Sequence, residues 1–281
     1  MTMLLELAVG DAYGAGFEYA PLDLIRKHNT ATHYVKHPRH RIEPGCYTDD
    51  TQMSLAVAEA LVSGERWTAE NLARRFVEGF HRDPREGYAG AFYAFLQEVR
   101  SGEEFLARIR PGSDKSGAAM RAAPLGVLPA IGEVVDKCRV QAALTHNTPD
   151  GIHAAQAAAL MAHYLLHDLG PKARLGAFLE GQVPGQWAAP WHGKVGSKGW
   201  MSVRAAVTAV VRNQRLSDLL KDCVAFTGDV DTVAAIALAA ASCSREYEQD
   251  LPETLVATLE NGRYGRDYLV ALDRQLLARG Q

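Results

Sequence analysis

Two short acidic clusters hold the residues best able to do chemistry. The first is Tyr47-Thr48-Asp49-Asp50-Thr51-Gln52-Met53, and the second is Thr227-Gly228-Asp229-Val230-Asp231-Thr232. Capping a helix start needs one side-chain oxygen and contributes about 0.5–2 kcal/mol. A second carboxylate beside the first adds repulsion without adding a cap, so capping leaves half of these acids unexplained. Brought together, the clusters would place four carboxylates and several hydroxyls at one point, and so many oxygens imply cations between them. An oxygen-only donor set suits hard divalent ions such as Mg²⁺ or Mn²⁺. Two such ions about 3.5–4 Å apart can grip a diol or polarise a leaving oxygen. In Asp229-Val230-Asp231, alternate residues of a non-helical turn can face one centre, and Gly228 supplies backbone freedom just before them.

The elements that must position these acids read as helices. Each cluster opens an apolar, alanine-rich run. Met53, Ala56, Val57, Ala60 and Leu61 recur at helical spacing until Ser63-Gly64, and Val233, Ile236, Ala237 and Ala240 repeat the pattern. The periodicity predicts further helices over 151–169, closed by Gly170-Pro171, over 202–211 and over 219–226. Gly/Pro-rich breaks fall at 38–45, 84–90, 111–117 and 181–199, strand-like alternation is scarce, and no repeat is found. One compact all-α domain over 1–281 is expected, with a site assembled on the loops between helices.

The bulk composition agrees. The chain has 281 residues, 47% of them hydrophobic and 22% charged, with a net charge of -3. That is enough apolar content for a real core, and too little positive charge for a general trap for nucleic acid or anionic membrane. No window nears the roughly eighteen apolar residues of a membrane span. The segment 1–9 carries Glu6 and no basic region, so it does not read as a secretory signal. Cys46, Cys138, Cys223 and Cys243 are scattered, which points to a reduced, cytoplasmic setting with the thiols as small core residues.

Five motifs in order carry a resemblance. They are Gly10-Asp11-Ala12-Tyr13-Gly14 with Glu18, then Thr48-Asp49-Asp50-Thr51-Gln52-Met53, then Ser116-Gly117-Ala118-Ala119-Met120-Arg121. Thr145-His146 with Gly151 and Ala154-Ala155 follows, and Thr227-Gly228-Asp229-Val230-Asp231-Thr232-Val233-Ala234 closes the series. Over nearly its whole length the chain resembles the ADP-ribosylglycohydrolases, the group related to dinitrogenase reductase-activating glycohydrolase. The resemblance implies a compact orthogonal multi-helix bundle holding two Mg²⁺ or Mn²⁺ ions. It implies metal ligation by Thr48, Asp49, Asp50, Asp229, Asp231 and Thr232, with the ions gripping the 2″- and 3″-hydroxyls of the distal ribose. Glu18 and Asp50 are the residues it implicates in catalysis. The loop Ser116, Gly117, Ala118, Ala119, Met120, Arg121 would receive ribose and diphosphate, and His146 would touch the phosphates. Ser116 stands where the family usually has Asn, Thr227 where it has Gly and Val230 where it has Thr.

The implied reaction is metal-dependent hydrolysis at C1″ of ADP-ribose. The partner would be an ADP-ribose-bearing protein, nucleic acid or small conjugate, acted on by a monomer away from membranes. The motifs read only the shared ADP-ribose half, not the acceptor. Two other readings stand beside it: a catalytically silent ADP-ribose-binding relative, and a histidine-aspartate metal phosphohydrolase suggested by His163, His167 and Asp168. For that histidine pair a place on an exposed helix face is the simpler expectation. The segment 26–41 holds no acid but carries Arg26, Lys27, Lys36, Arg39, Arg41 and four histidines, so it is either a solvated loop or a basic flap for a phosphate-rich substrate. Tyr88, Trp187, Trp191 and Trp200 either pin their loops or stack on substrate. Asp83 lies in the loop before Tyr88 and is not assigned a role.

Overall fold

The computed structural model describes residues 2–280. It contains fifteen α-helices, three short 3-10 turns and only isolated β-bridges. In order these are α1 (Leu4–Ala15), α2 (Leu22–His28), α3 (Asp49–Ser63), α4 (Ala69–Arg82) and α5 (Gly90–Glu98). Next come α6 (Gly102–Arg108), α7 (Gly117–Met120), α8 (Ile131–Ala143), α9 (Pro149–Leu166) and α10 (Leu175–Gln182). The series ends with α11 (Gly199–Arg212), α12 (Leu216–Ala225), α13 (Val230–Ala241), α14 (Glu253–Thr258) and α15 (Arg266–Leu277).

Helices α1, α9 and α13 are buried on nearly every face, and a helix apolar all round belongs at the centre of a bundle. α1 and α13 form the closest pair. A Cβ added to Gly10 would lie 2.6 Å from the Ala234 carbonyl oxygen, and one on Gly14 would collide with the Asp231 backbone. Glycines one turn apart on α1 thus let the backbone of α13 approach, and the alanine-rich face of α13 completes the contact. α3 also packs on α1, α4 packs on α3, and α15 packs on both α1 and α3. The last long helix also caps the first. The buried Asp273 of α15 accepts the N–H groups of Met3, Leu4 and Leu5 at 2.9–3.1 Å.

The expected helices form with small shifts at their ends. α3 stops at Gly64, which adopts the left-handed conformation at φ 73°. α9 starts at Pro149, capped by the Thr148 hydroxyl, and ends at Leu166 rather than 169 because Asp168 turns left-handed at φ 51°. α11 and α12 each start three residues earlier than their apolar periodicity shows, since their first turns carry Gly199-Trp200 and Leu216-Ser217.

His163 corrects one expectation. It is buried, with Nδ1 3.1 Å from the Gly126 carbonyl and its ring 4.4 Å from His167, rather than lying on an exposed helix face. Among the described residues neither histidine joins a group able to hold a metal.

Replacing Gly14 by Leu should lower stability by about 1–3 kcal/mol or more, because the obstacle is helix backbone rather than a movable side chain. A thermal melt checks this against Gly132→Ala on α8, where nothing lies within 4 Å and the melting temperature should hold or rise.

Candidate active site

The first acidic cluster is held from below by α1. Buried Asp11 accepts the backbone N–H groups of Thr48 and Thr51, both at 3.0 Å, and their hydroxyls at 2.8 and 2.5 Å. Thr48 caps α3 in turn by accepting from the Asp50 N–H at 3.3 Å. One lone pair of the Thr48 hydroxyl is left uncommitted. With the cap supplied by Thr48 and Asp11, Asp49 and Asp50 project into a cavity of about 770 Å³. Gly87, at φ 110°, lets the 83–90 loop lie directly on Asp49, where a Cβ would strike its carboxylate. Gln52 fastens that loop by accepting from the Tyr88 hydroxyl at 2.6 Å and donating to the Asp83 carbonyl.

The second cluster is a strained turn clamped on both sides. Thr227 and Gly228 take φ 65° and 91°, the Asp229 N–H donates to the Val195 carbonyl at 3.2 Å, and the Gly228 carbonyl accepts from Tyr19 N–H at 2.8 Å. Thr227, one of the departures from the family pattern, therefore sits at a left-handed position that disfavours a β-branched residue. Asp229 accepts from the Ser202 and Thr232 hydroxyls at 3.1 and 3.3 Å. Carboxylate oxygens of Glu18, Asp229 and Asp231 lie within 4.8 Å of one another.

The electrostatics favour a cation. Burial, reinforced by Asp11, pushes Asp49 and Asp50 well above the usual carboxylate range. Burial, reinforced by Glu18, does the same to Asp231 and raises Asp229 to about 6. Asp50 Oδ1 is buried with no hydrogen-bond partner. An orphaned carboxylate oxygen among repelling carboxylates fits an oxygen-liganded divalent ion, which Asp49, Asp50, Asp229 and Asp231 could hold with help from Thr48 and Thr232.

Glu18 is fixed from outside. His37, with a side chain 1% exposed, accepts the N–H groups of Arg39 and His40 on Nδ1, both at 3.0 Å. Its proton therefore sits on Nε2 and is donated to Glu18 Oε2 at 2.9 Å. From the basic 26–41 segment only Arg39 and His40 line the cavity, while Lys36 pairs with Glu43 at the surface.

The 116–121 loop divides in two. Ser116, Gly117, Met120 and Arg121 line the cavity, whereas Ala118 and Ala119 are packed inside. Arg121 is fully buried and donates to Gln141 Oε1 at 2.7 Å and to Thr145 Oγ1 at 2.8 Å. Thr145 Oγ1 in turn lies 2.7 Å from His146 Nδ1, and where the hydroxyl donates to that nitrogen the His146 N–H sits on Nε2. Burial, with Arg121 nearby, lowers His146 to about 3, so it stays a neutral donor. Arg121 thus aims His146, a role the sequence does not announce. Tyr88 lines the cavity with Phe92 and Phe95. Trp187 and Trp191 are buried and donate to the Val183 and Gly193 carbonyls, and Trp200 packs on Trp191, so these rings pin their loop and do not reach the cavity. Asp83 pairs with Arg85 outside it.

Asp11, Tyr19 and Ser202 were not singled out as site residues from sequence. Asp11 left two readable signals, its place in the opening Gly10-Asp11-Ala12-Tyr13-Gly14 motif and its position as an acid in the last turns of the apolar 4–15 run. Tyr19 and Ser202 left none, because their roles rest on contacts to Gly228 and Asp229, more than 200 and 27 positions away.

Two outcomes follow from this geometry. In metal-free protein the raised carboxylates bind protons more tightly folded than unfolded, so their contribution favours folding at low pH and is lost as pH rises through about 6 at Asp229. The melting temperature with chelator should therefore be higher at pH 5 than at pH 7.5, and Mg²⁺ should restore it at pH 7.5 by roughly 5 °C. Thr227→Gly should relieve the left-handed strain and stabilise the fold by up to about 1 kcal/mol in denaturant titration.

Comparison with known proteins places the chain. The family model described as ADP-ribosylglycohydrolase matches residues 1–281. The chain is 32% identical over 143 residues to ADP-ribosylhydrolase ARH3 of Xenopus tropicalis, covering 48% of this chain and 41% of that protein. It is 23% identical over 253 residues to ADP-ribosylarginine hydrolase Tri1 of Serratia proteamaculans, covering 83% and 67%. It is 30% identical over 178 residues to ADP-ribosyl-[dinitrogen reductase] glycohydrolase of Rhodospirillum rubrum, covering 60% and 58%. The matches thus span 41–67% of the lengths of these relatives. A solved structure titled as an ADP-ribosylglycohydrolase-related protein complex shares the fold at a TM-score of 0.76 and 22% identity, covering 99% of this chain and 96% of that one. An all-α bundle whose two acidic helix starts meet on one cavity wall is thereby matched end to end, and the chain belongs to the ADP-ribosylglycohydrolase family.

Proposed function

We propose that this chain hydrolyses the N- or O-glycosidic bond at C1″ of ADP-ribose, releasing ADP-ribose from a modified acceptor, as a monomeric single domain dependent on two Mg²⁺ or Mn²⁺ ions. The observation that carries the reading is that Asp49, Asp50, Asp229 and Asp231 line one cavity with Glu18, where carboxylate oxygens of Glu18, Asp229 and Asp231 lie within 4.8 Å of one another and Asp50 Oδ1 has no partner. When bound, the ions would supply a fixed anchor for the 2″- and 3″-hydroxyls and withdraw charge from the distal ribose.

The chain's own residues do the remaining work. His146 directs its Nε2 proton into the cavity as a neutral donor to a phosphate oxygen. Its ring lies against Gly117, where a Cβ would stand 3.1 Å from Cε1, so a larger residue would push the donor aside. The Gly117 N–H would add a backbone donor, since the Ser116 N–H is taken by the Ser197 carbonyl and those of Ala119 and Met120 by the Ser116 carbonyl. Tyr88, Phe92 and Phe95 supply an apolar wall, and the Tyr88 hydroxyl stays committed to Gln52. At the other side of the carboxylates Glu18 takes the proton of the attacking water. The His37 N–H holds the Glu18 rotamer, so that no reorganisation is needed at the moment of attack.

The test is a hydrolysis panel over ADP-ribosyl conjugates of arginine, serine, acetate and nucleic acid, with Mg²⁺, Mn²⁺ or chelator, read by mass spectrometry. Metal-dependent release of ADP-ribose is expected from at least one. Asp231→Asn should cut kcat/KM by about 100-fold or more, whereas His167→Ala should leave it unchanged. Release from none of the conjugates, with ADP-ribose still bound, would instead mark a silent binding module.

A further inference from the structure

Helix α11 reaches the site at its first turn, with a side chain that belongs to neither acidic cluster. Its start is stapled to the 113–117 loop, where the Ser116 N–H donates to the Ser197 carbonyl at 3.1 Å and the Gly199 N–H to the Asp114 carbonyl at 3.0 Å. Three residues on, Ser202 is fully buried, and its hydroxyl donates to Asp229 Oδ2 at 3.1 Å. A serine inside a helix ordinarily turns its hydroxyl to the carbonyl four residues back. That carbonyl, of Lys198, accepts the Met201 and Ser202 N–H groups instead, at 3.0 and 3.4 Å. The Ser202 hydroxyl thus has Asp229 as its acceptor.

We infer that Ser202 is a positioning residue: its hydroxyl fixes the plane of the Asp229 carboxylate and so sets the affinity of the second acidic turn for a divalent ion. The inference rests on the metal dependence proposed above and names a residue outside the ligand set that controls it. Asp229 is held at both oxygens and from two helices. Ser202 of α11 donates to Oδ2, and Thr232 of α13 donates to Oδ1 at 3.3 Å. An ionised carboxylate has about four lone-pair sites, so hydroxyl donors and an ion can share it. Two tethers oppose rotation of its plane, and the Asp229 N–H on the Val195 carbonyl fixes the backbone behind it.

The energetic logic is that of an outer partner to a metal ligand. A carboxylate free to rotate must be ordered when an ion binds, whereas one already tethered is not. The first cluster uses the same device, since the Thr48 hydroxyl gives its proton to buried Asp11 at 2.8 Å. In both clusters a buried pairing of hydroxyl with carboxylate fixes a candidate ligand before any ion arrives. Ser202 differs in lying on the helix that also holds the 113–117 loop. Those loop contacts are backbone bonds, so removing the Ser202 hydroxyl leaves them in place. The effect on the metal end is therefore separable from any effect on the loop.

The test is a Mn²⁺ titration of the full chain at pH 7.5, followed by the electron paramagnetic resonance signal of free Mn²⁺. Calorimetry with ADP-ribose at saturating Mn²⁺ reports the substrate end, and a thermal melt in chelator reports folding. Ser202→Ala should raise at least one Mn²⁺ dissociation constant about tenfold, with ADP-ribose affinity at saturating Mn²⁺ unchanged. Ser202→Thr keeps the hydroxyl and should restore the wild-type constant. If Ser202→Ala does not fold, Ser202→Cys, which offers only a weak S–H donor, should show the same rise. Mn²⁺ constants unmoved in the folded variant would overturn the inference, whatever its melting temperature. A loss shared equally by Ser202→Thr would point to volume rather than the hydroxyl and would also overturn it. Weaker ADP-ribose binding at unchanged Mn²⁺ affinity would assign Ser202 to the 113–117 loop, with the same consequence. A wild-type chain that binds no Mn²⁺ overturns the metal dependence and this inference together. A tenfold effect in a chain that hydrolyses no ADP-ribosyl conjugate supports the inference and overturns the hydrolase reading alone.

Discussion

Helix α1 is the member on which the rest of the site depends. On one face Gly10 and Gly14 admit the backbone of α13 at the turn that carries Asp231 and Ala234. From the same helix Asp11 accepts two N–H groups and two hydroxyls at the start of α3. A single rigid element thus sets the spacing between the two acidic clusters. Burying Asp11 is costly, and its pKa is raised by desolvation, but four donors offset that cost and fix the register of α3. Any change that lets α1 slide moves both clusters at once.

The architecture also explains how so much negative charge is tolerated. Asp49, Asp50, Asp229 and Asp231 are all buried, with raised pKa values and few neutral donors. The fold does not pair them with arginines. Arg121, the fully buried cation on the cavity, turns its donors to Gln141 and Thr145 instead, and burial lowers it to about 10. The carboxylates are therefore left short of positive charge by construction, a donor set that the size and hardness of a divalent ion would suit.

Much of this was legible in the chain itself. A surplus of carboxylates over what capping needs marked the two clusters, and helical periodicity placed each at a helix start. Gly64 and Gly228 both adopt positive φ, as their places at a helix stop and a tight turn suggest. The exposed place expected for His163 failed for a physical reason. Helix α9 is buried along most of its length, and His163 falls on a buried face. Its histidine is satisfied instead by the Gly126 carbonyl. The basic 26–41 run likewise reads as one feature in sequence, yet only Arg39 and His40 reach the cavity, because the buried His37 folds the backbone over there and not at Lys36.

The sequence by itself determined which atoms are available: oxygen donors for hard cations, helices to present them, and glycines where the backbone must turn or approach closely. Those follow from residue type and short spacing, which act within a few residues. Only the tertiary structure decided that Asp11 is the anchor rather than a fifth ligand-like acid, that Arg121 aims His146 through Thr145, and that Ser202 meets Asp229. Each of those joins side chains from different elements. Their meeting depends on how α1, α3 and α13 pack, and packing is a property of the whole chain rather than of any segment in it.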